Sequence, residues 1–283
     1  MTIAKKAAWL ALTGVLVVGA IYLYERLRPR PHTAQPNVQV LAPLMIPGLD
    51  RQRTVRLYLP PSYANSKERY PVLYMHDGQN LFDAATSFLG EWEVDESLNS
   101  LAQARHLDLI VVGIDNGGEH RNLELAPFDN ENGKAEGDAY LAFIVEVVKP
   151  YIDAHYRTKS GRDDTGIMGS SLGGLISHYA ICRYPDVFGK AGLFSPSYWY
   201  TAPIYAYTKA HPPRTDARLY FYAGGREGEH MVGDMQRMVT QLRAQGFPEA
   251  LLSVRVAEDA RHNEAAWRAE FPRAVGWLFG APL

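Results

Sequence analysis

The chain has 283 residues, of which 47% are hydrophobic and 21% are charged, and its formal net charge is -2. This composition supports one full hydrophobic core and excludes a disordered chain, while a mildly acidic balance without a basic stripe argues against a nucleic-acid partner. The single cysteine, Cys182, excludes an internal disulfide and is expected to be a buried thiol. No metal-ligand spacing such as Cys-x-x-Cys or His-Glu-x-x-His occurs, so we expect neither a metal nor a cofactor.

Residues 1–30 contain an apolar run without charges, Ala7 to Tyr24, flanked on both sides by charged residues. As a helix this run is about 27 Å long, which just spans the hydrocarbon core of a bilayer. The sequence therefore predicts an N-terminal transmembrane helix that contacts the membrane through residues 7–24 in a single pass. The alternative is a signal peptide, cleaved near Val18-Gly19-Ala20, that yields a secreted protein. The flanking charges do not fix the orientation. We expect the body on the extracytoplasmic (periplasmic) side because the architecture resembles that of a secretory protein.

Residues 31–37 are polar and proline-containing, which predicts a linker, and residues 38–283 are expected to form one catalytic domain. Within this domain, short apolar runs alternate with helical patterns, which is typical of an α/β fold with a mainly parallel sheet flanked by helices. The predicted strands are 54–58, 72–76, 109–114, 165–168, 191–195, 218–223 and 252–256. The predicted helices are 94–103, 138–151, 175–180, 231–245 and 264–279.

A glycine-rich turn follows the strand that begins at Thr165. In Gly169-Ser170-Ser171-Leu172-Gly173 only Ser171 has glycine two residues before and two residues after it, as the nucleophile elbow of a strand-turn-helix unit requires. Glycine is needed at these offsets because a Cβ would clash in so sharp a turn. The Leu172 N–H would lie at the helix N-terminus, where it is free to stabilise an oxyanion. The alternative is an ordinary serine N-cap.

A serine hydroxyl needs a base, and histidine serves most often because its ordinary pKa lies near neutrality. In hydrolases of this architecture the residues occur along the chain in the order Ser, acid, His, so the base should follow a late strand. Among the nine histidines this position belongs to His262. His76 and His178 are better explained by packing or by lining the site. An exposed loop histidine is the alternative for His262.

The acid that orients the base should follow the strand that ends at Ala223. Glu227 is the preferred candidate, with Glu229 and Asp234 as rivals, and a solvated carboxylate at a helix start is the alternative for each. A second oxyanion donor is expected after an early strand, where the Gln79 N–H lies in an Asp-Gly turn.

Several further segments are similar to segments of a known protein family. These are residues 74–82, Trp92-Glu93-Val94-Asp95, Gly113-Ile114-Asp115-Asn116, Gly169 to Gly174, Phe194 to Trp199 and the His262 loop. Together they resemble the putative-esterase family of α/β-hydrolases, which contains esterase D, feruloyl esterases, enterochelin esterases and mycolyltransferase antigens. The resemblance spans about residues 50 to 280 and implies an α/β-hydrolase fold.

The resemblance also implies site residues and a reaction. It implies Ser171 as nucleophile, His262 as base, Glu227 as acid, and Gln79 and Leu172 as oxyanion donors. Arg121, Glu124 and Trp199 match positions near the family's pocket, so Arg121 and Trp199 are expected to bind substrate, with loop anchoring as the alternative. The expected function is hydrolysis of a small-molecule carboxylic ester through an acyl-enzyme, without a cofactor. An acyltransferase and a non-catalytic binding protein on the same fold remain alternatives, and neither the ester nor the oligomeric state follows from the sequence.

Overall fold

A computed structural model describes residues 29–280, and its centre is a twisted eight-stranded sheet. The strands are β1 (Val38–Val40), β2 (Leu44–Ile46), β3 (Arg51–Arg53), β4 (Val55–Tyr58), β5 (Val72–His76), β6 (Ile110–Ile114), β7 (Thr165–Ser170), β8 (Lys190–Phe194), β9 (Arg218–Gly224) and β10 (Leu252–Ala257). The order across the sheet is β1-β4-β6-β5-β7-β8-β9-β10, while β2 and β3 form a separate hairpin. From β6 to β10 every neighbouring pair is parallel, whereas β1 and β4 are antiparallel to their neighbours. The predicted α/β fold with a mainly parallel sheet is confirmed.

Helices cover both faces of this sheet. They are α1 (Val94–Arg105), α2 (Arg121–Glu124), α3 (Gly137–Phe143), α4 (Lys149–His155), α5 (Leu172–Arg183), α6 (Pro203–Ala210), α7 (Met231–Ala244) and α8 (Glu264–Phe279). Successive side chains of a strand point to opposite faces, and in β5 Val72 and Tyr74 join one buried cluster while Leu73 and Met75 join the other. The strands that carry the site are therefore fixed by apolar packing on both sides.

The helix predicted over 138–151 is longer and less regular than the sequence indicates. A π-helical segment, Ile144–Val148, joins α3 to α4, and the helix continues past Pro150 to His155. Pro150 does not end it because the residue lies in the first turn after the π segment, where a missing N–H costs little. Helix α6 was not predicted from the sequence.

The buried position of Cys182 is confirmed, and burial raises the pKa of its thiol to about 12, which disfavours the reactive thiolate.

Residues 31–37, expected to be a linker, lie against the domain. Gln35 N–H donates to Asp95 Oδ2 over 2.8 Å, and Thr33 Oγ1 donates to the Glu91 carboxylate over 2.8 Å. Asn37 Nδ2 donates to Leu59 O over 2.7 Å. We call residues 30–37 the N-terminal strap.

The predicted transmembrane helix at 7–24 lies outside the described residues, and between residues 29 and 280 no helix is both long and apolar enough to cross a bilayer.

A buried histidine in α5 gives the fold a predictable response to acid. His178 is fully buried, and burial lowers its pKa to about 3. Because the pKa of His178 is lower in the folded protein than in the unfolded chain, protonation favours unfolding. The free energy of unfolding therefore keeps this contribution at neutral pH and loses it as the pH falls below about 6.5. Between about pH 7 and pH 4, the free energy of unfolding of the wild type should fall by about 3 kcal/mol more than that of His178→Gln. Denaturant titrations across this range measure the difference, the exposed His211→Gln serves as control, and parallel curves for wild type and His178→Gln would contradict the prediction.

Candidate active site

The turn between β7 and α5 holds Ser171 in a strained conformation. Its φ is 59° and its ψ is -122°, a backbone conformation that a non-glycine residue adopts only when its surroundings enforce it. A Cβ at Gly169 would lie 2.8 Å from the Gly173 carbonyl carbon and 2.8 Å from His76 Cδ2, so glycine is required there. This is the elbow geometry that the glycine frame predicted. Ser171 Oγ lies 3.1 Å from Ser197 Oγ at the surface of a cavity.

This cavity has a volume of about 280 Å³ and also contains His262 in its wall. Apolar side chains line much of it, namely Phe88, Leu89, Trp92 and Trp267. The structure thus brings the predicted nucleophile and the predicted base to one cavity at the carboxyl ends of parallel strands, where ligand sites of such sheets occur.

Beside the cavity, His262 is held by a buried carboxylate. Its Nδ1 lies 2.8 Å from Glu227 Oε2, and the Glu227 side chain is 0% exposed. Glu227 Oε1 accepts from the Gly224 N–H over 2.5 Å and from Ser195 Oγ over 2.7 Å. Trp267 Nε1 in turn donates to Ser195 Oγ over 2.9 Å. The Gly224 N–H and Ser195 Oγ therefore hold the carboxylate, and Trp267 holds Ser195. The carboxylate in turn orients the imidazole, with Nε2 available to the cavity.

The two predicted oxyanion donors lie in the helical segments that follow β5 and β7. Gln79 lies in a 3-10 turn, Gly78–Asn80, directly after β5, and Leu172 is the first residue of α5. Neither backbone N–H has a hydrogen-bond acceptor within residues 29–280. Gln79 lines an adjoining cavity of about 700 Å³ that shares Phe88, Asn116 and Arg121 with the first. Free N–H groups at these positions fit the donor role, which stays a prediction.

Arg121 lies in the cavity wall, but its guanidinium is already paired. Its Nε and Nη2 donate to the two Asp77 oxygens over 2.6 and 2.8 Å, and Asn116 Nδ2 donates to the same carboxylate over 2.7 Å. Burial raises the pKa of Asp77, but the ion pair with Arg121 outweighs it and leaves the pKa below its usual value. Asp77 has a left-handed φ of 56°, so this pair also holds the turn that carries Gln79. Arg121 therefore anchors a loop and lines the cavity at once.

Trp199 is 61% exposed and does not line the cavity that contains Ser171. It lines a neighbouring cavity of about 410 Å³ together with Glu227 and His262. A substrate contact by Trp199 would therefore be made through this neighbouring cavity, and this role stays a prediction. Glu124, the other position matched to the pocket, is 1% exposed and accepts from Arg53 Nη2 over 2.6 Å. It anchors the loop and does not line the cavity.

His76 lines the cavity but has the properties of a structural residue. Its Nδ1 lies 2.8 Å from Tyr140 Oη and its Nε2 lies 3.1 Å from Ser177 Oγ. Since the Ser177 hydroxyl donates to Gly173 O, His76 Nε2–H is the donor in that contact and Tyr140 donates to Nδ1. Burial lowers the pKa of His76 to about 4, so the ring is neutral and cannot replace His262 as a base near neutrality.

Sequence reasoning missed three residues that support the site: Ser195, Ser197 and Trp267. Ser195 and Trp267 hold Glu227, and Ser197 contacts the candidate nucleophile. Ser195 also has a positive φ of 43°, which is uncommon for serine. The sequence signal was the Phe194-Ser195-Pro196-Ser197 turn at a strand end, which carried the resemblance but had no assigned role.

Comparison with known proteins identifies the family. The family described as "Putative esterase" matches residues 46–278, which is most of the chain. The chain belongs to this esterase family. Among curated proteins, this esterase is 32% identical over 245 residues to "Uncharacterized protein YbbA" of Bacillus subtilis, covering 81% of this chain and 93% of the relative.

Solved structures with the same fold share less sequence with this esterase. An enterobactin esterase from Shigella flexneri, determined in the presence of enterobactin, superposes with a TM-score of 0.71 and 22% identity over 89% of this chain and 62% of that one. A ferulic acid esterase superposes with a TM-score of 0.67 and 19% identity, covering 86% of this chain and 98% of the other. At these identities the likeness shows the fold.

Proposed function

We propose that this esterase is a serine hydrolase that cleaves carboxylic esters through an acyl-enzyme on Ser171. The observation that supports this most directly is the strained Ser171 at the end of β7, sharing one cavity with His262, whose Nδ1 contacts the buried Glu227. Membership of the esterase family supports ester hydrolysis in general. The serine mechanism is our inference from the geometry.

In the proposed acylation, Ser171 Oγ attacks the ester carbonyl carbon while His262 Nε2 takes the hydroxyl proton. Glu227 keeps the imidazole in the tautomer with hydrogen on Nδ1 and stabilises the imidazolium. The N–H groups of Gln79 and Leu172 donate to the oxyanion. Ser171 and His262 are not hydrogen-bonded to each other in the free enzyme, as is common before substrate binds.

The tetrahedral intermediate collapses when His262 returns the proton to the leaving alcohol oxygen. Water then attacks the acyl carbon, His262 removes its proton, and release of the acid regenerates the Ser171 hydroxyl. The apolar wall of Phe88, Leu89, Trp92 and Trp267 favours an ester whose acyl or alcohol part is apolar or aromatic. Names of similar structures, ferulic acid esterase and enterobactin esterase, make feruloyl and enterobactin-type esters the first substrates to assay.

Labelling with a fluorophosphonate tests the nucleophile. Such a probe phosphonylates an activated serine, so wild type should be labelled and Ser171→Ala should not. Ser170→Ala is the matched control, because Ser170, the last residue of β7, directly precedes Ser171 but lies outside the glycine frame, and this variant should still be labelled. Labelling that survives Ser171→Ala would overturn the assignment, and folded wild type that resists both labelling and a panel of esters would favour a binding protein.

We further propose that residues 7–24 anchor the enzyme in a membrane with the catalytic domain on the extracytoplasmic side. The support is the uncharged apolar run of that segment. Carbonate extraction of membranes from cells that express the full chain distinguishes an integral protein from a secreted one. Protease accessibility in intact spheroplasts reports the orientation, and release of a shorter, soluble chain would contradict the anchor.

A further inference from the structure

Three carboxylates meet beneath the N-terminal strap, away from the proposed catalytic residues. One oxygen from each of Glu91, Asp95 and Glu96 lies within 4.8 Å of an oxygen of both others. Glu91 is 7% exposed and Asp95 is 0% exposed. We call these three residues the carboxylate cluster. It precedes and begins α1, next to Trp92 in the cavity wall.

The cluster lacks the arginine partner that three other buried carboxylates of this protein have. Asp77 pairs with Arg121, Glu124 with Arg53, and Glu270 with Arg255. Within residues 29–280, no lysine, arginine or histidine nitrogen lies within 4.0 Å of a cluster oxygen. Its donors are neutral and belong to two residues of the strap, Thr33 and Gln35.

Two cluster oxygens have no hydrogen-bond donor among the residues that the structure describes. They are Asp95 Oδ1, on the fully buried side chain, and Glu96 Oε2. A buried carboxylate oxygen without a donor is costly, since desolvation is not repaid by any contact. The donorless oxygens point to a missing positive partner.

We propose that Glu91, Asp95 and Glu96 bind one calcium ion. Calcium takes six to eight oxygen ligands at about 2.3–2.6 Å, so two of its ligands lie at most about 5 Å apart, which the cluster spacing satisfies. An all-oxygen set without histidine or cysteine disfavours zinc and other soft ions. Water would supply the remaining ligands.

The ion would be held by one segment, residues 91–96, to which the strap is hydrogen-bonded. Glu91 and Asp95 hold the strap through Thr33 and Gln35, and the segment from Asp83 to Asp95 carries Phe88, Leu89 and Trp92 of the cavity wall. Calcium bound to the cluster would therefore stabilise this wall and the docked strap without touching Ser171 or His262.

Calorimetric titration of the full chain, freed of metals with a chelator and kept near pH 8, tests the site. We expect one calcium ion per chain, and a Tm higher by about 5 °C at a free calcium concentration about a hundredfold above Kd. Asp95→Asn and Glu96→Gln should remove the binding heat and the Tm shift. Glu119→Gln, which changes a carboxylate that is 88% exposed, is the matched control and should keep both.

Each other result counts against the site. Absence of binding heat and of a Tm shift at millimolar calcium would overturn the calcium site and indicate that the cluster is neutralised by protons. A higher Tm of Asp95→Asn irrespective of calcium would point the same way. Binding that persists in both cluster variants would place the ion elsewhere, and tighter binding of magnesium would overturn the assignment to calcium. Should Asp95→Asn fail to fold, the partly exposed Glu96→Gln still decides the question.

Discussion

Replacing His262 with alanine is expected to lower kcat/KM for ester hydrolysis by about four to six orders of magnitude. Without the imidazole Ser171 Oγ loses its candidate base. Among residues 29–280, the other histidine in the cavity wall is His76, which is neutral and has both ring nitrogens hydrogen-bonded. Steady-state kinetics with a chromogenic ester measures the loss.

Folding should not limit the His262→Ala experiment. The His262 side chain is 35% exposed and lies in a loop before α8, so the variant should keep a Tm near that of wild type. His211→Ala removes an exposed histidine after α6 and should retain full activity. A His262→Ala enzyme within about tenfold of wild type would show that another residue is the base.

Glu227→Gln is expected to lower kcat by about four orders of magnitude with little change in KM. Glu227 Oε2 contacts His262 Nδ1, while Oε1 accepts from the Gly224 N–H and Ser195 Oγ. A glutamine has one oxygen and one NH₂ group. In one orientation the NH₂ group faces the Gly224 N–H and Ser195 Oγ, which are themselves donors. In the other it faces His262 Nδ1 and stabilises the tautomer without hydrogen on Nδ1. The imidazolium also loses its negative partner.

Kinetics of Glu227→Gln beside Glu229→Gln separates the rival acids. Glu229 is exposed and has no side-chain hydrogen bond within residues 29–280, so its variant should behave as wild type. A large loss in Glu229→Gln with Glu227→Gln unchanged would transfer the role. Loss in neither variant would show that Ser171 and His262 act without an acid.

The sequence was most informative where one residue type is demanded by local geometry. The glycine frame selected Ser171 over Ser170. The frame exists because Ser171 has a φ of 59° and a Cβ at Gly169 would lie 2.8 Å from the Gly173 carbonyl carbon. Apolar runs located most strands to within a residue or two, because a strand buried on both faces must be apolar along its length. His262 and Glu227 followed from the order of strands in the chain.

Contacts between distant segments were beyond the sequence. Trp267 reaches Ser195 across 72 residues, and no spacing rule indicates that an indole will donate to a serine that supports Glu227. The proline-containing residues 31–37 have the composition of a linker, yet Thr33 and Gln35 bond to carboxylates some sixty residues away. The sequence likewise could not decide whether Arg121 anchors a loop or lines the cavity, because Arg121 does both.

The docked strap bears on how the enzyme should be produced. A recombinant chain begun at Val38 would lack the Thr33 hydroxyl and the Gln35 N–H, so Glu91 and Asp95 would each lose a donor while the flanking helix remains in place. Arg30 adds contacts to Ser87 at the far end of the same segment. A truncation that removes the apolar N-terminal run should therefore be made upstream of Arg30, so that the soluble product keeps the strap that donates to Glu91 and Asp95.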